Sequence, residues 1–197
     1  ALDQVVDRVD RGNDRGSARL WVDRAFAPAG AGTVVTGTLT GGSVAVGDQL
    51  ELAPGSRGVR VRGLQSHHHD LQTVGPGNRV AVNLTGIGHA DVARGDVLVT
   101  PDAWHESSII DAELEVLADL GHPVSRRGAY LAYIGSGEFP ARVRVLQQSE
   151  IKPGEKGSVR LYLNRPVPLL PGDRYVLRES GRDETVGGGQ ILDIDTA

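Results

Sequence analysis

The chain has 197 residues, 39% hydrophobic and 23% charged, with a formal net charge of −4 and no cysteine. That length suits one large or two small domains with buried cores. The lack of cysteine removes disulfides and thiolate metal sites, and the acidic balance means that any nucleic acid contact should be local and shaped rather than indiscriminate.

No apolar run reaches membrane-spanning length, and the polar start ALDQVVDRVDRG carries no signal-peptide pattern. A cytoplasmic monomer with no membrane partner is expected. Leu2, Val5, Val6 and Val9 fall at helical spacing, but two turns are too few to stand alone. With the charged, Gly-containing run after them, residues 1–17 read as a linker. From Arg19 the period changes to two. Strands are predicted at 20–22, 33–40, 49–52, 59–65, 79–84 and 96–99, separated by AGAG, GGSVAVGD, APGSRG, GPGN and GIGHADVARGD. Many short strands with glycine-rich turns indicate an all-β barrel. Gly47-Asp48 and Gly95-Asp96 each precede an apolar run, which is turn chemistry leading into a strand.

PDAWH at 101–105 breaks the pattern and sets a domain boundary. In IIDAELEV, Ile110, Ala112, Leu114 and Val116 share one face, and Asp111, Glu113 and Glu115 the other, as in a half-buried strand. Further strands are predicted at 130–135, 141–146, 158–163, 174–179 and 190–194, and Gly172-Asp173 repeats the turn signal. The fold class is all-β: two consecutive β-barrel domains at 18–103 and 104–197. Single helical turns are allowed at 87–93 and 117–121.

Chemistry is sparse. There is no GxxxxGK[ST] phosphate loop and no GxSxG elbow, so no catalytic residue is assigned. Gly187-Gly188-Gly189 lacks a dinucleotide-binding context and reads as a turn or bulge beside the last strand. On a strand, His67 and His69 would point the same way and could share a metal with Asp70 or His89. Exposed histidines at a strand end are the plainer reading, and no metal is assigned.

GTVVTG at 32–37 resembles the signature of the second, β-barrel domain of EF-Tu-like translational GTPases. RLWVDRAF, VGDQLEL, VRGLQSH, RVAVNLTGI and RGDVL follow that pattern in order. RVRVL, RLYLNRPVPLLPGDRYVLRES and VGGGQILD then follow the pattern of the third domain. Within the superfamily the chain looks like a selenocysteine-specific elongation factor, SelB. The resemblance implies two barrels that hold selenocysteinyl-tRNA for the ribosome. It also implies a GTPase domain ahead of the 1–17 linker, and it places GTP and Mg in that domain, with no cofactor here. Asp23, Arg24, Phe26, Thr36 and Arg79 match the aminoacyl pocket. Arg24 and Arg79 stand where general elongation factors carry a carboxylate and an asparagine. Two guanidiniums would suit a selenolate, the anion that selenocysteine carries at neutral pH. Gln65, His67 and His68 match the strand flanking the tRNA 3′ end, and Arg174 and Arg178 a strand near the tRNA stem. Arg142 and Arg144 form a similar stripe that the sequence leaves undecided. The barrels of an ATP-sulfurylase GTPase subunit or of an initiation-factor γ-type GTPase are the alternatives.

Overall fold

The computed structural model describes residues 16–194, so the expected helical start and most of the linker lie outside the described residues. The chain divides between Trp104 and His105 into two compact units.

The first unit holds β1 (Arg19–Phe26), β2 (Thr33–Thr40), β3 (Val44–Ala45), β4 (Gln49–Ala53), β5 (Arg57–Ser66), β6 (His69–Leu71), β7 (Thr73–Val74), β8 (Arg79–Thr85) and β9 (Val97–Val99). A single 3₁₀ turn, His89–Asp91, precedes β9. Strands pair in the order β4-β9-β1-β2-β8-β5, and β5 returns to β4, closing a six-stranded barrel. Alternation decides what fills it. In β2 the residues Thr33, Val35, Gly37 and Leu39 are buried, while Val34, Thr36, Thr38 and Thr40 lie on the outer side. Leu20, Val22, Val35, Leu39, Val61, Val82 and Leu98 meet in the core. Gly37, the last residue of GTVVTG, is required by close approach: a Cβ there would run into the Trp21 carbonyl.

The second unit holds β10 (Glu106–Val116), β11 (Val124–Ser125), β12 (Tyr130–Ile134), β13 (Gly137–Val145), β14 (Glu150–Ile151), β15 (Lys156–Pro168), β16 (Arg174–Glu179) and β17 (Glu184–Asp193). Here β10-β15-β13-β12-β16-β17 close the barrel. Ile110, Ala112 and Leu114 are fully buried, as the alternation in IIDAELEV requires.

The Gly-Asp signals share one geometry. Asp48 accepts the Ala45 N–H at 2.8 Å, Asp96 the Ala93 N–H at 2.8 Å and Asp173 the Leu170 N–H at 2.9 Å. The glycine before each aspartate has positive φ. The glycine thus turns the chain, and the aspartate satisfies the donor left at the first residue of the turn. Glu155 does the same for Lys152 at 3.1 Å after Gly154, a variant with a longer acid.

Three expectations change. Gly187-Gly188-Gly189 is no turn. It lies inside β17, between β10 and β16, where a Cβ on Gly187 or Gly189 would strike the carbonyl of Glu115 or Glu113. The bulge falls next to it, where pairing with β16 shifts between Leu177 and Arg178. The segment 117–121 forms a turn closed by Leu120 N–H to Leu117 O at 3.2 Å, without a helix. His67 and His68 are not on a strand: both have positive φ and form the two-residue tip of the β5–β6 hairpin, where Ser66 faces His69. Exposed histidines at a strand end, the plainer reading, are thus what the structure shows, and the same-face alternative for His67 and His69 falls away.

Candidate functional site

β1 runs past Val22 because its pairing with β2 resumes beyond a bulge: Val22 faces Gly37, then Arg24 faces Thr36. Asp23 is the extra residue. A bulge re-aims the side chain it inserts, and Asp23 reaches two neighbours. The Thr36 hydroxyl donates to its Oδ1 at 2.6 Å, and the Arg79 guanidinium pairs with its Oδ2. Asp23 keeps 17% of its side chain exposed, Arg79 58%. Partial burial works against ionisation of Asp23. The Thr36 hydroxyl and the Arg79 guanidinium, with Arg24 adding its field, nevertheless hold the carboxyl below the ordinary aspartate value.

The guanidinium of Arg24 is exposed and has no hydrogen bond or ion pair among the described residues. Asp23 thus pairs with one guanidinium, that of Arg79, and Arg24 acts on it through its field alone, which leaves a local surplus of one positive charge. Phe26, two residues on, presents an exposed ring, 41% accessible.

The pairings align this cluster with a second group. Arg24 faces Thr36, Thr36 faces Ala81, and Ala81 faces Gln65. These four residues form one row across β1, β2, β8 and β5, spanning about 14 Å at the usual inter-strand spacing. The next row is Phe26, Val34, Asn83 and Gly63. Between the rows and β6 lies an open cleft of about 350 Å³, bordered by Val34, Gln65, Asp70, Leu71, Ala81 and Asn83. Gln65 donates to Asp70 at 3.2 Å. The Asn83 Oδ1 is buried without a hydrogen bond among the described residues. Sequence reasoning missed Asn83, although a carboxamide in the outward series of RVAVNLT was a visible signal.

The hairpin tip is tied back to this face. The Ser66 hydroxyl donates to the Arg79 carbonyl at 2.8 Å and stands 3.1 Å from His67 Nδ1. A hydroxyl has one proton, so His67 Nδ1–H is the donor in that second contact, and Nε2 is left as the acceptor of the neutral ring. His68 is exposed beside it. All eight residues assigned to the aminoacyl pocket and the 3′ end thus lie on the first barrel, and its outer face gathers most of them.

The stem residues fare differently. Arg178 donates to Asp183 Oδ1 at 2.6 Å and to its carbonyl at 2.8 Å, so its guanidinium is occupied. Arg174 borders a cleft with Glu113, Glu115 and Lys156. Arg142 lies over the Tyr162 ring at 5.3 Å. Three groups that could serve as metal ligands, on His122, Glu179 and Glu184, lie within 4.8 Å of one another, but the arrangement is that of an ion-pair network. His122 Nδ1–H donates to the Pro123 carbonyl at 3.1 Å and Nε2–H to Glu184 at 2.7 Å. Arg182 holds Glu179 at 3.1 Å. The Glu184 hydrogen bond comes first among the causes that raise the His122 pKa above its ordinary 6.5.

Residues 32–99 match the family model for elongation factor Tu domain 2. Residues 111–197 match that for the β-barrel domain of selenocysteine-specific elongation factor. The chain is 36% identical over 174 residues to a selenocysteine-specific elongation factor from Desulfomicrobium baculatum, covering 88% of this chain and 27% of that protein. It is 30% identical over 201 residues to an elongation factor 1-alpha from Pyrobaculum aerophilum, covering 91% and 44%. The chain therefore spans less than half the length of either relative. Two solved structures share the fold. A bacterial selenocysteine-specific elongation factor has a TM-score of 0.81 at 24% identity, over 100% of this chain and 31% of that one. The elongation factor SelB from Methanococcus maripaludis has a TM-score of 0.80 at 22% identity, over 98% and 46%.

Proposed function

The chain belongs to the elongation factors, joining a domain 2 of elongation factor Tu type to the β-barrel domain of the selenocysteine-specific factors, and from that premise we propose that it holds selenocysteinyl-tRNA. In this reading a GTPase domain with GTP and Mg works beside it, and the loaded factor delivers its tRNA to the ribosome at recoded UGA codons. The two barrels themselves carry out no catalysis, and the factor acts in the cytoplasm as a monomer.

The observation that carries the reading is the surplus positive charge at the β1 bulge. Asp23 is held ionised by Thr36 and Arg79, and Arg24 is left uncommitted beside it. A selenolate placed there receives a charge-assisted hydrogen bond, stronger than a neutral one. The serine of a seryl-tRNA offers a neutral hydroxyl and leaves the cation without an anion as the ligand excludes water. Discrimination then comes from charge, where one atom of size difference would give little. Asp23 orients Arg79. Phe26 supplies an apolar wall, and Thr36 fixes the carboxylate. The cleft between Val34, Gln65 and Asn83 takes the terminal nucleoside, whose base edge meets carboxamide groups.

The test is binding of selenocysteinyl-, seryl- and an elongator aminoacyl-tRNA to the chain, alone and fused behind a GTPase domain of its family with GTP. A preference of tenfold or more for the selenocysteinyl form supports the reading. Equal binding of all three removes the charge-selection mechanism.

A further inference from the structure

The geometry points to a divalent-metal site on the second barrel, formed by His122, Glu179 and Glu184 and suited to zinc. The site does not depend on the tRNA-carrier reading.

The three side chains come from two places that folding joins. Glu179 ends β16, Glu184 begins β17, and the two face each other as the closing pair of that hairpin. Like charges directly opposite on a β-ladder repel, so the pair needs a positive group between them. Arg178 does not supply it, because Asp183 of the same hairpin takes its guanidinium. Arg182 reaches Glu179 at 3.1 Å. Among the described residues, the Glu184 carboxylate meets the ring of His122 and nothing else. Glu179 Oε1 and Glu184 Oε2 have no hydrogen bond among the described residues, so each carboxylate keeps an oxygen in hand.

The ring is turned as a metal-binding imidazole is. Its Nδ1–H donates to the Pro123 carbonyl at 3.1 Å, which fixes its orientation and leaves Nε2 as the ligand atom. Nε2 lies 2.7 Å from Glu184 Oε1 and 3.6 Å from Glu179 Oε2. Donors held at about 2.05 Å by a tetrahedral ion stand about 3.3 Å apart, so one contact must widen and the other close, each by less than about 1 Å. With a proton on Nε2 these groups form the ion-pair network; a cation takes that proton's place.

Both arms of the site are anchored. Val124, two residues after His122, is fully buried and pairs with Ile151. Ser180, next to Glu179, donates its N–H and its hydroxyl to the Ala129 carbonyl at 2.8 and 2.9 Å. Holding the donors in place lowers the ordering cost of binding.

Charge and donor type select the ion. With the imidazole neutral, two carboxylates against the Arg182 guanidinium leave a net charge of −1, which attracts a cation. One nitrogen and two carboxylate oxygens suit zinc, whereas magnesium and calcium take oxygen shells. The side chains of Glu179 and His122 are 13% and 20% exposed, that of Glu184 37%, so the ion enters from the Glu184 side and keeps a water as its fourth ligand. Bound there, it clamps the loop around His122 to the β16–β17 hairpin and stabilises the folded second barrel.

The test uses the 197-residue chain, stripped with EDTA and dialysed, and zinc chloride as the probe. The chain carries H67Q/H68Q/H69Q, so that the histidines of the β5–β6 hairpin add no zinc site of their own. Competition with a chromophoric chelator should give one zinc per chain with a dissociation constant of about 10 μM or tighter. Excess zinc should raise the melting temperature of the second barrel by a few degrees. H122A and E184Q, each added to that chain, should weaken binding at least tenfold and abolish the rise. E184Q is nearly isosteric and lies at the surface, so it keeps the readout if H122A folds poorly; melting in EDTA checks both. Zinc binding weaker than about 100 μM, unchanged affinity in H122A or E184Q, a melting temperature that zinc does not raise, or equal binding of magnesium would each overturn the site.

Discussion

The two barrels use arginine in opposite ways. On the first, Arg79 takes the single carboxylate of Asp23, Arg24 reaches it only through its field, and one positive charge is left over. On the second, Arg160, Arg178 and Arg182 each reach a carboxylate, and Arg142 and Arg165 lie over aromatic rings instead. A paired guanidinium braces its own barrel. An unpaired one can meet an anionic ligand without first giving up a partner. Counting arginines along a strand therefore says little until the acids that reach them are known.

The contrast can be broken most severely through the second barrel. Gly189→Val drives a branched side chain into the Glu113 carbonyl between two paired strands, a backbone collision expected to cost about 3 kcal/mol or more. Limited proteolysis should show the second unit opening while the first stays protected. If the units stand alone, aminoacyl discrimination by the first barrel should survive.

The next effect in size concerns the surplus charge. Arg24→Ala should reduce the preference for selenocysteinyl- over seryl-tRNA by about tenfold or more, since a hydrogen bond to a charged group is worth about 1.5–3 kcal/mol. Thermal stability should hardly move, because Arg24 braces nothing. Arg79→Ala should cost less selectivity and more stability, because it leaves Asp23 without its ion-pair partner. Equal stability effects of the two substitutions would contradict this division of labour.

The smallest effects are in pH dependence, and the two barrels should differ in sign. The Asp23 pKa is depressed in the folded state, so its contribution is present above the ordinary value of 3.8 and is lost as pH falls through the lower folded value. Asp23→Asn should flatten that acid limb in a pH series of melting temperatures. The His122 pKa is raised, so its contribution is complete below 6.5 and fades as pH rises through the folded value. His122→Gln should remove that decline in the second barrel. A wild-type second barrel equally stable on both sides of neutrality would contradict the His122 network.

Much of the fold was legible because strand alternation is a local property. IIDAELEV and TVVTGTLT announce their buried faces, and each Gly-Asp pair announces a turn that the structure closes with the same hydrogen bond. Strand lengths were less legible. The apolar pattern of β1 ends at Val22, where DRAF interrupts it, but pairing with β2 carries the strand across the bulge to Phe26. Gly187-Gly188-Gly189 looks like a break for a related reason: glycine weakens a strand locally, whereas here the close approach of Glu113 and Glu115 from β10 demands it.

On the candidate site, the order of motifs in the sequence was enough to nominate Asp23, Arg24, Phe26, Thr36 and Arg79, because a residue's type and its neighbours travel with the motif. The sequence could not say which guanidinium Asp23 would hold, that His67 and His68 would form a hairpin tip, or that Arg178 would be taken by Asp183. Nor could it reveal that Asn83 would sit beside Val34 and Gln65, or that His122 would join Glu179 and Glu184. These are proximities between residues far apart in the chain, set by strand register and by barrel closure. The local pattern of the sequence determined which residues face outward, while partner, charge surplus and cleft came from the tertiary structure, because an arginine's electrostatic role depends on the acids that folding brings within reach.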